Sequence, residues 1–121
     1  MELEPVSYIT SGSFYKTEND VDGALNGLYV KLRSEGTSNL FIWGEARSEM
    51  MERSIAGTLG YEKYYDHTLS STLPGPGWDN LYSLINATNL LLKYTPDIKF
   101  ASDAKKNDVL AQAYTMRAFA Y

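Results

Sequence analysis

Apolar residues recur at every third or fourth position in four stretches of the sequence, and this spacing constrains the fold more than any other feature. In the first stretch the repeating residues are Val21, Ala24, Leu25, Leu28 and Leu32. Such a spacing places apolar side chains along one face of an α-helix. The sequence therefore predicts an all-α fold with four helices, near residues 17–34, 38–54, 78–94 and 102–121.

Local signals support two of the predicted helix starts. Thr17 precedes a carboxylate-rich turn, and Ser102-Asp103 stands at the start of the fourth stretch. Hydroxyl side chains cap helix N-termini, and acidic residues favour the positive end of the helix dipole. The first and fourth helices are therefore predicted to begin at these residues.

Two glycines, Gly23 and Gly27, lie inside the first predicted helix. Each costs a helix about 1 kcal/mol relative to alanine. They indicate a smooth strip where another backbone approaches closely. The alternative is a turn at Asn26-Gly27 that interrupts the helix.

The helical stretches divide the chain into an arm and a helical part. Residues 1–16 lack helical periodicity and are predicted to form an extended N-terminal arm, whereas residues 17–121 hold the helices. Residues 56–77 are rich in glycine and proline and form a long loop between helices two and three; loops of this length are often functional. Helices three and four form an antiparallel hairpin, similar to a tetratricopeptide repeat.

The fourth helical pattern runs to Tyr121 without a stop signal. This predicts that the chain is the N-terminal fragment of a longer protein. The aromatic residues Tyr114, Phe119 and Tyr121 would then lack a covering segment, and exposed apolar patches commonly bind a partner. We therefore expect the isolated fragment to self-associate through its last helix. In the third helix, Trp78 and Tyr82 are expected to face the core beside Leu81 and Ile85.

Charge and cysteine content exclude several classes of function. The formal net charge is −4, and the eleven Lys and Arg residues are scattered along the chain. A nucleic-acid-binding surface needs clustered basic residues, so no nucleic-acid partner is predicted. The chain contains no cysteine, which excludes a disulfide scaffold, a Cys-ligated zinc site and a cysteine nucleophile.

Side chains that could carry catalysis are sparse. His67 is the only histidine, and no carboxylate or hydroxyl motif is spaced around it in a recognisable way. Glu45, Glu49 and Glu52 lie on one side of the second predicted helix, where a carboxylate pair could serve a glycosidase or a metal. The Glu49–Arg53 spacing favours an ordinary helix ion pair instead. The sequence therefore predicts no catalytic residue, no cofactor and no metal.

Three tyrosines near His67 form the best candidate for ligand contact. Tyr61, Tyr64 and Tyr65 fall in the long loop, and sugar rings present flat C–H faces that pack on aromatic rings. We expect these four residues to bind a ligand. The alternative is that the rings fold onto the helices and close the core.

Several motifs, read in order, resemble the SusD-like (SusD/RagB) family of nutrient-binding lipoproteins. The segment Leu3-Glu4-Pro5 is similar to an early acidic segment of that family, and the residues from Thr17 to Tyr29 are similar to its first helix. The most specific motif is Trp78-x3-Tyr82-x2-Ile85-x3-Asn89. The ending Gln112-Ala113-x3-Arg117-Ala118 follows the family pattern, with Gln112 in place of the usual acid.

The resemblance implies a non-catalytic protein on the outer face of the outer membrane that binds an oligosaccharide or a peptide. It also implies a lipid anchor in the full-length parent, tetratricopeptide-like helix pairs and a SusC-like TonB-dependent transporter as partner. The lipidated cysteine of the family is missing, so this chain is expected to be soluble by itself. Two alternatives stay open: a helical scaffold that docks the transporter without touching the ligand, and a hydrolase fragment.

Overall fold

The computed structural model describes residues 14–37, 39–48, 50, 52, 62–72 and 77–121, and this part of the chain contains helices and no β-strand. The long helices are α1 (Glu18–Thr37), α4 (Asp79–Tyr94) and α5 (Asp103–Ala120). Two short helices, α2 (Asn39–Trp43) and α3 (Glu62–Tyr65), lie between α1 and α4. The predicted all-α fold is confirmed, whereas the tetratricopeptide-like pairing stays a prediction.

Helix α1 begins at a reciprocal cap between Thr17 and Asp20. The Thr17 backbone N–H and its hydroxyl each donate to Asp20 Oδ2 at 2.7 Å, and the Asp20 N–H donates back to Thr17 Oγ1 at 3.3 Å. This arrangement satisfies backbone donors that the first turn leaves without helical partners. The side-chain hydrogen bond from Thr17, reinforced by its backbone N–H, holds the pKa of the Asp20 carboxyl below its ordinary value.

The core lies where α1, α4 and α5 pack together. It consists mainly of aliphatic side chains from these helices and from the connection after α4, namely Val21, Leu25, Leu28, Leu81, Leu84, Ile85, Leu91, Ile98, Val109, Ala113, Met116 and Ala120. Thr88 and Thr95 are also fully buried. Their hydroxyls donate to the carbonyls of Ile85 and Leu91, both at 2.7 Å, so both buried polar groups are hydrogen-bonded.

Lys105 joins the N-terminal ends of α1 and α5. Its Nζ contacts a Glu18 carboxylate oxygen and lies 2.8 Å from Asp22 Oδ2, and the second Glu18 oxygen accepts the Ala101 N–H at 2.7 Å. The hydrogen bond from Lys105 is the main cause of a lowered pKa at Glu18, and the bond to Asp22 is the main cause of a raised pKa at Lys105. One cation from α5 therefore contacts two carboxylates in the first turns of α1, where the positive end of the helix dipole also favours negative charge.

The second predicted helix is much shorter than residues 38–54. Helix α2 ends at Trp43, Gly44 follows as a turn, residues Glu45–Arg47 form a single 3₁₀ turn, and Ser48 is extended. Glycine weakens a continuing helix. Ile42 and Ala46, on either side of the turn, belong to one small apolar cluster. Glu49 and Arg53, the proposed ion pair on this helix, lie outside the described residues.

The glycine predictions have different outcomes. Asn26 and Gly27 both lie within α1, so the turn alternative is wrong. A Cβ placed at Gly23 or Gly27 would meet no other atom within 4 Å, so no described segment approaches this strip. Residues 1–13, which make up most of the predicted arm, lie outside the described residues.

Candidate ligand-binding surfaces on two sides of α2

The short helix α2 contributes side chains to two apolar clusters, each of which contains aromatic residues. Ile42 belongs to a cluster with Ala46 and Tyr64, whereas the adjacent Trp43 packs against the main core. Neighbouring residues of a helix point about 100° apart, so one short helix can support side chains in two places. Tyr64, one of the predicted ligand residues, lies on the Ile42 side. An aromatic pair that the sequence does not predict lies on the Trp43 side.

Helix α3 ends in a geometry that fixes the backbone around His67. The His67 N–H donates to the Tyr64 carbonyl at 3.3 Å, and the Thr68 N–H donates to the Lys63 carbonyl at 3.0 Å. This pair of hydrogen bonds is the Schellman motif, which requires a left-handed residue after the helix. His67 takes that position with φ of 53°. Glycine is the usual residue there because a side chain makes this conformation more costly.

The predicted ligand residues fall into different environments. Tyr64 is 7% exposed and packs with Ile42 and Ala46, so the alternative of a ring folded onto the helices describes this residue. Tyr65 is 38% exposed, and His67 is exposed two residues further on. Tyr61 lies outside the described residues. Of the four predicted ligand residues, Tyr65 and His67 are therefore the two that the structure describes with exposed side chains. Ligand contact stays a prediction.

Trp78 stacks on Trp43 rather than entering the core. The ring centroids are 4.7 Å apart and the planes differ by 25°, yet Trp78 remains 64% exposed. Tyr82, one turn further along α4, is 65% exposed. The expectation that Trp78 and Tyr82 face the core is wrong. The buried stripe of α4 is centred on Leu84 and Thr88, and the two aromatic residues lie on its flank.

A groove on the surface of α4 and α5 begins beside this stack. It has a volume of about 290 Å³ and is lined by Trp78, Leu81, Tyr82, Ile85, Ala120 and Tyr121. Asn89 lies one turn beyond Ile85 on α4, and its Oδ1 accepts a hydrogen bond from Arg117 Nη1 of α5 at 2.9 Å. The guanidinium of Arg117 also lies over the Tyr114 ring, 5.1 Å from its centroid. Aromatic rings and charged or amide groups therefore follow one another along the same pair of helices.

A second groove lies at the surface where α1 packs beside α5. Its volume is about 330 Å³, and its lining is mostly apolar, with Tyr29, Leu32, Ala111, Gln112, Thr115, Met116 and Phe119. The Tyr29 hydroxyl donates to Gln112 Oε1 at 2.7 Å, which joins the two helices beside the groove. Phe119 is exposed, as the sequence analysis expected for the aromatic residues of the last helix, and so are Tyr114 and Tyr121.

The acidic candidates form no metal site in the described part of the chain. Glu45 and Glu52 are exposed, and Glu49 lies outside the described residues. Among the residues the structure describes, no group of three or more histidine and carboxylate side chains is placed to hold a metal ion. None of the described helices is both long enough and apolar enough to cross a membrane.

Comparison with known proteins supports the predicted resemblance. The chain is 31% identical over 123 residues to the SusD-like protein P38 of Formosa agariphila, and 28% identical over 131 residues to the SusD-like protein P2 of the same organism. Both alignments cover 100% of this chain. The similarity to the SusD-like family is confirmed. The chain spans 24% and 25% of the lengths of these two relatives. No family model and no solved structure matches it.

Proposed function

We propose that this SusD-like chain helps to capture an oligosaccharide at the outer-membrane surface, without catalysis, for import through a TonB-dependent transporter. The observation that carries the proposal is the similarity of the whole chain to two SusD-like proteins. We further propose that residues 17–121 are the N-terminal helical part of such a protein and that a lipid anchor holds it at the surface. The proposal assigns no catalytic residue, cofactor or metal to the chain.

Tyr65 and His67 are the residues we propose for ligand contact. The backbone hydrogen bonds at the end of α3 fix the main chain around these two residues, so little backbone freedom remains to be lost on binding. A tyrosine ring offers an apolar face and a hydroxyl, and a neutral imidazole offers one donor and one acceptor. His67 keeps its side chain at a backbone position where glycine costs less. A role for the imidazole in binding would account for that cost.

The proposed site is tested by titrating the chain with neutral hexasaccharides of glucose, mannose, xylose and galactose in a calorimeter. We expect Tyr65→Ala and His67→Asn to weaken binding about tenfold, which corresponds to roughly 1.4 kcal/mol. Asparagine tolerates the left-handed backbone, so His67→Asn removes the imidazole while keeping the turn. Phe119→Ala is the matched control, because it removes an exposed ring on a different helix. Unchanged affinity in both site variants would contradict the site, and no binding of any sugar would contradict the function.

The groove between α1 and α5 favours a second candidate, a helical scaffold that docks the transporter without touching the ligand. Its apolar lining around Leu32, Met116 and Phe119 is typical of a surface that packs against another protein. In that case Phe119→Ser should weaken binding to a purified SusC-like transporter and leave sugar binding unchanged. A Phe119→Ser variant that binds the transporter as wild type does would exclude this groove as the docking site.

A further inference from the structure

The Trp43–Trp78 pair supports an aromatic surface that is both fixed and exposed. Trp43 packs against the main core and stacks on one side of Trp78, at 4.7 Å between centroids. Because Trp78 is still 64% exposed, the side of its indole away from Trp43 is open to solvent. A ring that is already held in place loses little rotamer freedom when a ligand packs on it. The pair therefore has the properties of a preorganised stacking platform.

Two further rings border the same groove. Tyr82 follows Trp78 by one helical turn, and Tyr121 comes from the end of α5 on the other side. Leu81 and Ile85 are buried and form the apolar floor. The volume of about 290 Å³ is near the lower end of the roughly 300–1,000 Å³ that small-molecule pockets occupy. The groove therefore has room for a small part of an oligosaccharide.

Polar groups lie on the same two helices beyond the residues that line the groove. Asn89 lies one turn after Ile85 and accepts a hydrogen bond from Arg117 at 2.9 Å. A guanidinium has five N–H donors and an amide has two, so this pair retains donors for further hydroxyl groups. Tyr114 supports the guanidinium from below through a cation–π contact. Flat ring faces next to donors of fixed position match a pyranose, which has apolar C–H faces and hydroxyls around its edge.

We infer that this groove, from Trp78 and Tyr82 to Asn89 and Arg117, is a second oligosaccharide-binding site. The inference rests on the proposed function and extends it, since it places a sugar beside Trp43 and Trp78, at a surface separate from Tyr65 and His67. One pyranose ring stacks on the open face of Trp78, and a later unit of the same oligosaccharide contacts the Asn89–Arg117 pair, which lies about 16 Å further along α4. The ligand is a neutral oligosaccharide that spans both groups.

The chain contains its own reporters for this site. It has two tryptophans, both in the stacked pair, and one histidine, His67, at the other proposed site. In a nuclear magnetic resonance titration of the labelled chain with cellohexaose, maltohexaose and mannohexaose, indole N–H signals report on the groove. The imidazole C–H signals report on the turn after α3. We expect at least one of these sugars to shift the indole signals in a saturable way.

Variants then connect the shifts to the groove. Tyr82→Ala should raise the sugar dissociation constant, obtained from the indole shifts, about tenfold, because the Tyr82 ring is exposed and lines the groove. Arg117→Gln should also raise this constant, since it removes the charged donor beside Asn89. Phe119→Ala, on the groove between α1 and α5, should leave it unchanged. Full retention of sugar affinity in both Tyr82→Ala and Arg117→Gln would overturn the inference.

The outcomes separate this inference from the proposed function. Sugar-dependent shifts at His67 without any shift of the indoles would overturn the groove and leave the proposed function standing. No shift at any signal up to about 20 mM sugar, well beyond millimolar affinity, would overturn both. Indole signals that move on dilution of the protein alone would show that a second copy of the chain covers the groove, which would also overturn the inference.

Discussion

Replacing Trp78 by alanine should destabilise the protein much less than replacing Leu84, although tryptophan is the larger side chain. Leu84 is fully buried between the long helices, and Leu→Ala changes in such positions cost about 3–5 kcal/mol. Trp78 is 64% exposed, so only about one third of its roughly 250 Å² is removed from water. At about 25 cal/mol per Å², this area contributes about 2 kcal/mol as an upper bound. We therefore expect Trp78→Ala to cost about 1–2 kcal/mol.

Urea denaturation followed by far-ultraviolet circular dichroism measures both changes, because that signal reports helix content and does not depend on the indole that is removed. Ile85→Val serves as a graded core variant, with an expected cost of about 0.5–1.5 kcal/mol, in case Leu84→Ala does not fold. If Trp78→Ala lowers the free energy of unfolding as much as Leu84→Ala does, the ring is buried and the reasoning about the groove fails.

Three further predictions concern charge, backbone and association. Because Lys105 lowers the pKa of Glu18 below its ordinary value of 4.5, this ion pair stabilises the fold above that pH and is lost as the pH falls through the lowered pKa. Wild-type protein should therefore lose more stability than Lys105→Met on acidification below about pH 4.5, as measured by thermal melts across that range; parallel curves would contradict the role of the pair. His67→Gly should raise the free energy of unfolding by about 0.5–1 kcal/mol: glycine avoids the roughly 1–2 kcal/mol that a side chain costs in left-handed backbone, and its greater freedom in the unfolded chain offsets part of that gain. A lower melting temperature would argue against the Schellman turn. The chain should self-associate through the exposed apolar groove beside Phe119, so Phe119→Ser should shift light scattering towards the monomer; a monomeric wild type at high concentration would refute this.

Local sequence determined the helices and where most of them begin. The apolar spacing in the first, third and fourth stretches reproduces α1, α4 and α5 to within a few residues, because each turn of a helix depends on neighbours three and four positions away. The hydroxyl of Ser102 caps α5 through the Lys105 N–H at 3.2 Å, as the cap signal predicts. The family resemblance could also be recognised from the sequence, because its motifs stand in the same order along the chain.

Tertiary packing decided which ring faces inward and which faces the solvent. Tyr64 and Tyr65 are adjacent and chemically identical, yet only Tyr64 meets the cluster formed by Ile42 and Ala46. The helical spacing that Trp78 shares with Leu81 predicts a buried ring, but the directions from which α1 and α5 approach α4 centre its buried stripe on Leu84 and Thr88. Periodicity indicates that a helix has an apolar side, but it defines the edges of that side only to within about one residue. Since one residue turns a helix by about 100°, only the positions of the neighbouring helices settle which aromatic side chains remain available to a ligand.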